Sequence, residues 1–479
     1  MEQNEYLTLS EDGKTVISCK KSYEGAVVIP NGVTKIKEDA FTRCTNLTSI
    51  KIPSSVTKIG VGAFRDCINV NDYTVDAENP NYCSIDGVLY SKDKAELVRV
   101  PCNRDHIHIP SSVKIIGKES FIFCKSLTSI DIPGSVNKIK TGAFSLCSNL
   151  ASIILPNSLT RIGNYAFSFC KSLKSIEIPS SVEIIGQGSF YGCIGLKEII
   201  VDKDNPIYCS IDGVLYSDNA AVLISVPCNR DIIRIPTCVT KIGNYAFRHC
   251  YHFVSLEIPE GVAGIGVGAF KDCTNLTSID IPNGVTKIEE STFFGCSGLT
   301  SVKIPNSVTK IGKFAFHHCT NLASIKIPNG LIEIDDGAFE DCRSLTSLKI
   351  PGSVSRIGKH AFYHCTGLTT IDISSNVVEI DGNAFLECTS LTSLVVSSRV
   401  NKCSKSAFSN CPNLKEIHLK NKNSVVFIEA FVDLDYDSIL FEEYRNTELQ
   451  NITLFVPKGT VAAYRNHIVF EQFKEVIEE

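Results

Sequence analysis

Residues 127–147 read Leu-Thr-Ser-Ile-Asp-Ile-Pro, then Gly-Ser-Val-Asn-Lys-Ile, then Lys-Thr-Gly-Ala-Phe-Ser-Leu-Cys. In the first part, Ile130 and Ile132 alternate with polar residues, which is typical of a strand with one buried face. Pro133 ends this strand because proline has no N–H group to donate to a sheet. The last part, Gly-Ala-Phe-x-x-Cys, predicts a tight helix-like turn that carries its Phe and Cys on one face.

The same unit recurs along nearly the whole chain. Phe-x-x-Cys occurs fourteen times and follows a regular 23-residue step, as from Phe121 to Phe144, except for two 57-residue steps. The phenylalanines of these copies are Phe41, Phe64, Phe121, Phe144, Phe167, Phe190, Phe247, Phe270, Phe293, Phe316, Phe339, Phe362, Phe385 and Phe408. A fifteenth phenylalanine, Phe431, continues the regular step, with Leu434 in place of the cysteine.

This period decides the fold. It falls within the range of about 20–29 residues that leucine-rich repeats use. One unit cannot bury its own apolar side chains, whereas stacked units share a continuous core in which each unit contacts only its neighbours. The sequence therefore predicts a right-handed leucine-rich-repeat superhelix with about 18 strands in one long parallel β-sheet, and with short helical turns on the convex side.

Each 57-residue step divides into a regular 23-residue unit and a longer unit, and the longer units lie near residues 77–110 and 203–236. Their central stretches are nearly identical, as residues 79–90 and 205–216 show. A second apolar segment follows each stretch after a polar turn. We therefore expect an inserted β-hairpin that stands off the solenoid at each place.

The two ends differ from the middle, as the terminal units of a repeat array must. Residues 1–23 predict a capping hairpin, because two apolar segments flank the turn signal Asp12-Gly13. Residues 24–457 make up the solenoid. Residues 458–479 predict a helical cap in which Thr460 caps the N-terminus of a short helix.

The composition limits the possible partners. The formal net charge is −5 and both signs are well mixed, whereas nucleic-acid binders carry a concentrated basic face. No apolar run approaches the roughly 18 residues that a transmembrane helix needs. The N-terminal Met-Glu-Gln-Asn-Glu is not a secretory signal, so we expect a cytoplasmic protein or one whose signal has been removed.

The repeat unit, Leu-x-x-Ile-x-Ile-Pro…Val-x-x-Ile-Gly-x-x-Ala-Phe-x-x-Cys, resembles the BspA-type leucine-rich repeat. The stretches at residues 84–91 and 454–464 resemble that family as well, and the resemblance covers roughly residues 5–479. It implies a surface or secreted protein of a bacterium or protist. Members of the family act as adhesins for host extracellular-matrix proteins or as triggers of host receptors, and they have no conserved catalytic set. The resemblance thus implies a non-enzymatic binding protein, and we expect a monomer without a cofactor.

The cysteines suggest two different roles. Fourteen of the 21 cysteines occupy the same position of the unit, where metal binding and disulfide formation compete with the role of a small apolar core residue. We favour the core role, because identical positions on successive units cannot all pair. Cys83 and Cys102, and likewise Cys209 and Cys228, occupy matching places in the two predicted hairpins and are candidates for disulfides, which would require an oxidising compartment.

Two other patterns resemble functional motifs. The glycines of residues 264–268 imitate a nucleotide-binding loop, but similar text at residues 60–62 belongs to the repeat turn. His318, Asp341 and His364 occupy one position on three successive units, and imidazole and carboxylate ligands suit Zn²⁺. We expect these three side chains to be solvated on the convex side, and we expect no metal site.

The position between the two inward apolar residues of the strand is the most variable one. It is occupied by Val28, Lys51, Thr74, His108, Asp131, Ile154, Glu177, Ile200, Arg234, Glu257, Asp280, Lys303, Lys326, Lys349, Asp372, Val395 and His418. Like charges on neighbouring strands repel each other, so three lysines in succession need either solvation or a partner.

This column leads to the functional hypothesis. We predict that Glu257, Asp280, Lys303, Lys326, Lys349 and Asp372 form an exposed strip that binds a protein on the concave sheet, the usual binding surface of a solenoid. The alternative functional hypothesis is an intracellular scaffold for protein–protein interactions. An ordinary solvated surface would explain the same residues without any function.

Overall fold

The computed structural model describes residues 5–373, 376–404, 406–422, 449–465 and 473–479. The predicted continuation of the repeat at Phe431 lies outside these residues. The chain divides into two compact units, Met1–Arg230 and Asp231–Glu479. Within both units the chain forms a leucine-rich-repeat β-solenoid with parallel sheets.

Each regular turn of the solenoid contributes two strands, which belong to two separate ladders. The prediction of one long sheet was therefore wrong. In the first ladder, the strand that carries Ile130 pairs in parallel with the strand of Ile153. In the second ladder, Ile139 pairs with Ile162. Both pairings join residues that lie one repeat apart in the sequence. The second strand forms because the Val-x-x-Ile segment after the proline is extended as well, and its isoleucine is buried.

The first ladder consists of the strands with the alternating pattern. In the first unit these strands are Gly25–Val28, Leu47–Ile52, Asp72–Val75, Ser129–Asp131, Ser152–Ile154, Ser175–Ile178 and Glu198–Val201. In the second unit they are Ser255–Leu256, Ser278–Asp280, Ser301–Lys303, Ser324–Ile325, Ser347–Ile350, Thr370–Ile373, Ser393–Val396, Glu416–Leu419, Thr453–Val456 and Glu475–Glu478. Residues 106–110 and 232–236 form no strand, so His108 and Arg234 are not part of this ladder.

The second ladder consists mostly of two-residue strands. In the first unit it contains Lys35–Ile36, Lys58–Ile59, Ile115–Ile116, Lys138–Ile139, Arg161–Ile162 and Ile184–Ile185. In the second unit it contains Lys241–Ile242, Gly264–Ile265, Lys287–Ile288, Lys310–Ile311, Glu333–Ile334, Arg356–Ile357, Glu379–Ile380 and Lys402–Cys403.

The inserted hairpins extend the second ladder instead of standing off the solenoid. In the first insertion, Tyr82–Ile85 and Val88–Ser91 pair antiparallel, and Val88–Ser91 pairs antiparallel with Glu96–Arg99. Glu96–Arg99 then pairs in parallel with Ile115–Ile116. The hairpin stays against the solenoid because its apolar side chains are buried in the core. The strands of the second insertion are Tyr208–Ile211, Val214–Ser217 and Val222–Ser225.

The ends of the chain continue the ladders with added strands. Leu7–Leu9 pairs antiparallel with Thr15–Cys19, which in turn pairs in parallel with Lys35–Ile36 of the second ladder. At the other end, Leu449–Asn451 is a 3₁₀ helix and Val461–Arg465 is the only α-helix of the described residues. The predicted C-terminal cap contains this short α-helix, which begins directly after Thr460, and also the strand Glu475–Glu478, which pairs in parallel with Thr453–Val456.

The third side of each solenoid turn, the Gly-Ala-Phe-x-x-Cys segment, is not helical as predicted. In the described repeats it forms tight turns, and the N–H group of Phe293 donates to the carbonyl of Ala315 in the next turn at 2.8 Å. Phe314 and His318 have left-handed φ angles of 53° and 60°. These left-handed residues, two in each repeat, break an α-helical path and direct the backbone N–H groups toward the next turn. We call this row of bonds the turn ladder.

The prediction that Phe316 is buried between Phe293 and Phe339 is confirmed. Its side chain is 0% exposed, and its ring lies 5.2 Å from each neighbouring ring in a stacked arrangement. The cysteine that follows adds a weak bond, because Cys319 Sγ donates to the Phe293 carbonyl at 3.2 Å. Burial and stacking of these aromatic rings stabilise the contact between successive turns.

In the second unit the exposed side of the second ladder carries a network of ion pairs. Arg356 contacts Glu333 at 2.8 Å and Asp336 at 3.2 Å, and it also pairs with Asp381. Lys310 contacts Glu333 at 2.9 Å from the preceding turn. The signs alternate along one column of successive strands, so charges that would repel in a row of lysines attract each other here.

We predict that Phe316→Ala lowers the free energy of unfolding by about 3–5 kcal/mol, because it leaves a cavity in a close-packed column. Chemical denaturation of the purified chain measures this loss. Phe314→Ala is the matched control, since Phe314 lies two residues away and is 36% exposed, and it should cost much less. Equal losses for both variants would contradict the 23-residue register.

We predict that Arg356→Gln lowers the free energy of unfolding by about 1–3 kcal/mol at neutral pH, because it leaves partly buried carboxylates without their cation. A hydrogen bond from Lys402 lowers the pKa of Glu379, another carboxylate beside Arg356. Because this folded-state pKa is depressed, the network stabilises the fold above about pH 4 and loses its effect as the pH falls below that value. The difference between wild type and variant should therefore shrink at pH 3.

Thermal or chemical unfolding at pH 7 and pH 3 measures both effects. Arg161→Gln is the control, because Arg161 is exposed on the second ladder and has no ion pair within the described residues. A loss for Arg161→Gln as large as that for Arg356→Gln would show that the network adds no specific stability.

Candidate functional site

The predicted strip lies on the first ladder of the second unit. Its members share the outward position of neighbouring solenoid turns, and every side chain is exposed: Glu257, Asp280, Lys303, Lys326, Lys349 and Asp372. The inward neighbours in the same strands, such as Ile279 and Val302, are buried in the core. Alternation along a strand therefore fixes the strip on one face of a rigid ladder.

Small polar side chains flank the strip. On each of these turns the residue two positions earlier is serine or threonine, as in Ser301 and Thr370, and it is also exposed. The short side chains leave the long charged ones protruding above a flat surface.

The charges of the strip are mostly not neutralised within the chain. Asp280 contacts Lys303 at 3.8 Å, and both side chains are more than three-quarters exposed. An exposed pair of this kind contributes little to stability. Lys349 lies opposite Asp372 in the strand register, but neither Lys326 nor Lys349 forms an ion pair with any of the described residues. These two lysines remain available to an anionic partner.

In the first unit, the same strand position is occupied by apolar as well as charged residues. Ile154 is 71% exposed and Val28 is 51% exposed, and the acidic Asp131 and Glu177 lie on turns next to Ile154. Single exposed apolar residues are common on protein surfaces. The charged run of the second unit therefore remains the more distinctive part of this face.

In the column of His318, Asp341 and His364, the carboxylate of Asp341 contacts both imidazole rings. Asp341 pairs with His318, and its other oxygen lies 3.0 Å from His364 Nδ1. Arg343 Nε also donates to Asp341 at 2.6 Å. Among the residues described by the structure, no group of side chains is arranged to hold a metal ion. Asp341 is buried, so the expectation of full solvation was wrong for this residue.

Neither predicted hairpin disulfide forms. Cys102 is joined to the ladder cysteine Cys124, and the Cys83 thiol donates to the Ser91 carbonyl at 3.3 Å. The Cys209 thiol donates to the Ser217 carbonyl at 3.1 Å. The prediction failed because the Cys102 side chain turns into the core toward the next solenoid turn, whereas Cys83 lies on the first strand of the hairpin.

The ladder cysteines are small buried residues of the core, as we favoured from the sequence. Cys124 differs from the others because it forms a disulfide with Cys102. All are buried except Cys411, which is partly exposed. Burial raises the pKa of Cys147 to about 12 and that of Cys365 to about 12. Such thiols are almost entirely protonated at neutral pH and are poor nucleophiles.

The glycines at residues 264–268 are explained by the fold. Gly264 lies in the second ladder and pairs with Lys241. Gly268 has a left-handed φ of 57° and donates its N–H group to the Glu290 carbonyl at 3.0 Å. This N–H group is part of the turn ladder, so the segment does not provide a phosphate-binding loop.

The sequence analysis did not predict one set of charged surface residues. The charged column of the second ladder, which includes Lys310, Glu333, Arg356, Glu379 and Lys402, repeats with the same 23-residue step as the strip. Its alternating signs were visible in the sequence. They were missed because the segment was interpreted as a turn and not as a second strand.

No helix within the described ranges has the length and apolar character that crossing a bilayer requires. No curated protein is significantly similar to this chain.

Several crystal structures of leucine-rich-repeat proteins are similar to this chain. One from Eubacterium ventriosum has 23% identity, covers 79% of this chain and 91% of its own, and gives a TM-score of 0.49. One from Bacteroides ovatus has 26% identity, with 89% and 96% covered and a TM-score of 0.45. A leucine-rich cell surface protein from Faecalibacterium prausnitzii has 25% identity, with 90% and 97% covered and a TM-score of 0.38.

The family model of the BspA-type leucine-rich repeat region matches six copies in this sequence. The matches extend over residues 19–88, 100–209, 226–345 and 332–454, which is most of the chain. The repeat that the model describes is the unit that forms both ladders and the buried phenylalanine column. The chain therefore belongs to the BspA-type leucine-rich-repeat family.

Proposed function

We propose that this protein is a non-enzymatic, monomeric binding scaffold, a BspA-like adhesin at the cell surface that binds a host or extracellular-matrix protein. Its binding surface is the exposed face of the first ladder in the second unit, with the charged strip from Glu257 to Asp372 at its centre. The single observation that carries this proposal is the run of Lys303, Lys326 and Lys349 on successive exposed positions.

The rigidity of the ladder supports this role. The strand of Lys303 is paired on both sides with neighbouring strands, so the backbone under the strip loses little freedom on binding. A surface that is already in its bound conformation keeps more of its contact energy as affinity. The strip also presents acidic residues at both ends and cations between them, which fits a partner with a central acidic segment.

The energetic cost of the strip is a second support. Neighbouring strands lie about 4.8 Å apart, and like charges on directly opposite positions destabilise a sheet. The second ladder of the same unit alternates its charges from Lys310 to Lys402, although Lys287 lies opposite Lys310. A run of three cations on the other ladder is therefore best explained by an interaction outside the chain.

An intracellular interaction scaffold is the second candidate. It is favoured by the buried ladder cysteines that remain thiols, such as Cys147, Cys170 and Cys319, because reduced cysteines are the rule in reducing compartments. The Cys102–Cys124 disulfide favours an oxidising location instead. Surface labelling of intact cells that make the protein distinguishes the two candidates.

We predict that the combined change of Lys303, Lys326 and Lys349 to Glu abolishes binding to an extracellular-matrix protein while leaving the melting temperature nearly unchanged. The three side chains are exposed and make no buried contacts, so surface substitution has little effect on stability. Surface plasmon resonance against a panel of purified matrix proteins first identifies the partner. It then compares the variant with wild type.

The control changes Lys35, Lys58 and Lys138 to Glu. These lysines are exposed on the second ladder of the first unit, and the change in net charge is the same. The proposal requires this control to bind like wild type. If the strip variant binds the identified partner as tightly as wild type, the strip is an ordinary solvated surface. If both variants lose binding equally, the effect is one of net charge alone.

A further inference from the structure

The first insertion interrupts the Phe-x-x-Cys turns of the first unit and divides them into two runs. The first run begins with Phe41 and Cys44, and the second begins with Phe121 and Cys124. Later thiols of a run donate to the carbonyl of the phenylalanine one turn back, as Cys67 Sγ donates to the Phe41 carbonyl at 3.0 Å. The first cysteine of a run has no such turn before it, so its sulfur contacts a different group.

Both runs begin against the end of a strand that is not part of the repeat. Before the first run, the strand Thr15–Cys19 ends on the turn side, where the Cys19 N–H group donates to the Ala40 carbonyl at 2.8 Å. Before the second run, the N–H group of Val100 donates to the equivalent carbonyl, that of Ser120, at 3.1 Å. The two junctions therefore have the same backbone arrangement.

A cysteine outside the repeat lies at each junction. At the second junction, Cys102 is joined to Cys124 by a disulfide. At the first junction, Cys19 and Cys44 are both thiols. They belong to one core cluster, in which they are 6% and 0% exposed, and Cys44 Sγ lies 3.8 Å from the Cys19 carbonyl. The first junction thus has a matching pair of cysteines in the reduced state.

The two thiols of the first junction also contact each other. A hydrogen bond from Cys19 lowers the pKa of Cys44, and the positive charge of Lys21 adds to this effect, so that together they outweigh burial. The same hydrogen bond, together with burial, raises the pKa of Cys19. Cys19 therefore keeps its proton while Cys44 becomes the thiolate, which is the form of cysteine that reacts with oxidants.

The other free ladder cysteines of the first unit lack this activation. Cys147 Sγ and Cys170 Sγ donate to the carbonyls of Phe121 and Phe144 at 3.1 and 3.2 Å. Burial raises the pKa of both thiols, as it does for the remaining two. Within the described part of the first unit, Cys44 is thus the one ladder thiol that its surroundings favour as a thiolate.

We propose that hydrogen peroxide oxidises Cys19 and Cys44 to a second disulfide, which fastens the N-terminal hairpin to the first turn of the solenoid. The Cys44 thiolate attacks one peroxide oxygen, so that an S–O bond forms, the O–O bond breaks and hydroxide leaves. This hydroxide takes up the proton that Cys44 had lost. The Cys19 sulfur then attacks the sulfenic acid, so that the S–S bond forms and the S–O bond breaks, and the Cys19 proton leaves with hydroxide as water. In total, two thiols are oxidised to one disulfide and one peroxide is reduced to two water molecules.

The place of the pair in the fold favours this reaction. The hairpin of Leu7–Leu9 and Thr15–Cys19 is the first element of the described chain, and chain ends open locally at a lower free energy than the middle of a fold. Local opening exposes the pair to a small oxidant, whereas Cys147 and Cys170 stay covered within their run. The disulfide opposes this opening because it removes the freedom of the detached hairpin. None of these steps depends on the strip or on the proposed adhesive function.

The test begins with the folded full chain, which is treated with hydrogen peroxide in the absence of reductant. The chain is then unfolded in an alkylating reagent and digested, and the peptides are mapped by mass spectrometry under non-reducing conditions. We expect a linked Cys19–Cys44 peptide that has two hydrogen atoms fewer than the separate peptides. The linked Cys102–Cys124 peptide is the positive control in the same digest.

Two variants test the order of the steps. Cys19→Ser keeps a hydrogen-bond donor beside Cys44 but removes the second thiol, so dimedone should trap the Cys44 sulfenic acid in this variant. Cys147→Ser is the matched control and should form the Cys19–Cys44 disulfide as wild type does. In wild type, the Cys19 amide, which bonds to the first turn, should exchange with solvent more slowly in the oxidised than in the reduced protein.

Four results would overturn the proposal. They are the absence of a linked Cys19–Cys44 peptide from the folded protein, an equal amount of a linked Cys147–Cys170 peptide, the absence of a dimedone adduct in folded Cys19→Ser, and equal exchange of the Cys19 amide in the two redox states. If Cys19→Ser does not fold, peptide mapping and hydrogen exchange of wild type decide the question.

Discussion

The contact between successive solenoid turns on the turn side is the constraint on which the rest of the structure depends. There the N–H group of most ladder phenylalanines donates to the next turn, as Phe316 donates to Ala338 at 2.8 Å, and its ring stacks on the next ring. Two left-handed residues per repeat are needed for this geometry, and for non-glycine residues each costs about 1–2 kcal/mol. Complete burial of the phenylalanine column and the backbone bonds offset that cost.

Once the turns are fixed at one spacing, each surface position of the repeat recurs from one turn to the next and forms a column within each unit. The two ladders of the second unit use this property in opposite ways. The second ladder alternates its charges, so that Arg356 is surrounded by carboxylates, and the column stabilises the fold. The first ladder places Lys303, Lys326 and Lys349 in succession, and we propose this column as a contact surface for another molecule.

Periodicity in the sequence was sufficient to predict the repeat, the strand of Ile130, the burial of Phe316 and the exposed position of the strip. It was not sufficient for details that depend on unusual backbone angles. Nothing in Phe314 or His318 signals a left-handed conformation, so the turn was taken for a helix and the second strand was missed. The partner of Cys102 was missed for a related reason, since it depends on which way one side chain turns at the interruption.

Native-state hydrogen exchange of the backbone amides tests the central claim most directly. If successive turns are joined on the turn side, the amides of Phe293, Phe316 and Phe339 exchange slowly, as expected for bonded and buried groups. The amides of Gly62 and Phe64, which have no such acceptor among the described residues, exchange faster than these three. Fast exchange of the Phe293, Phe316 and Phe339 amides, with protection confined to the two strand ladders, would contradict the account.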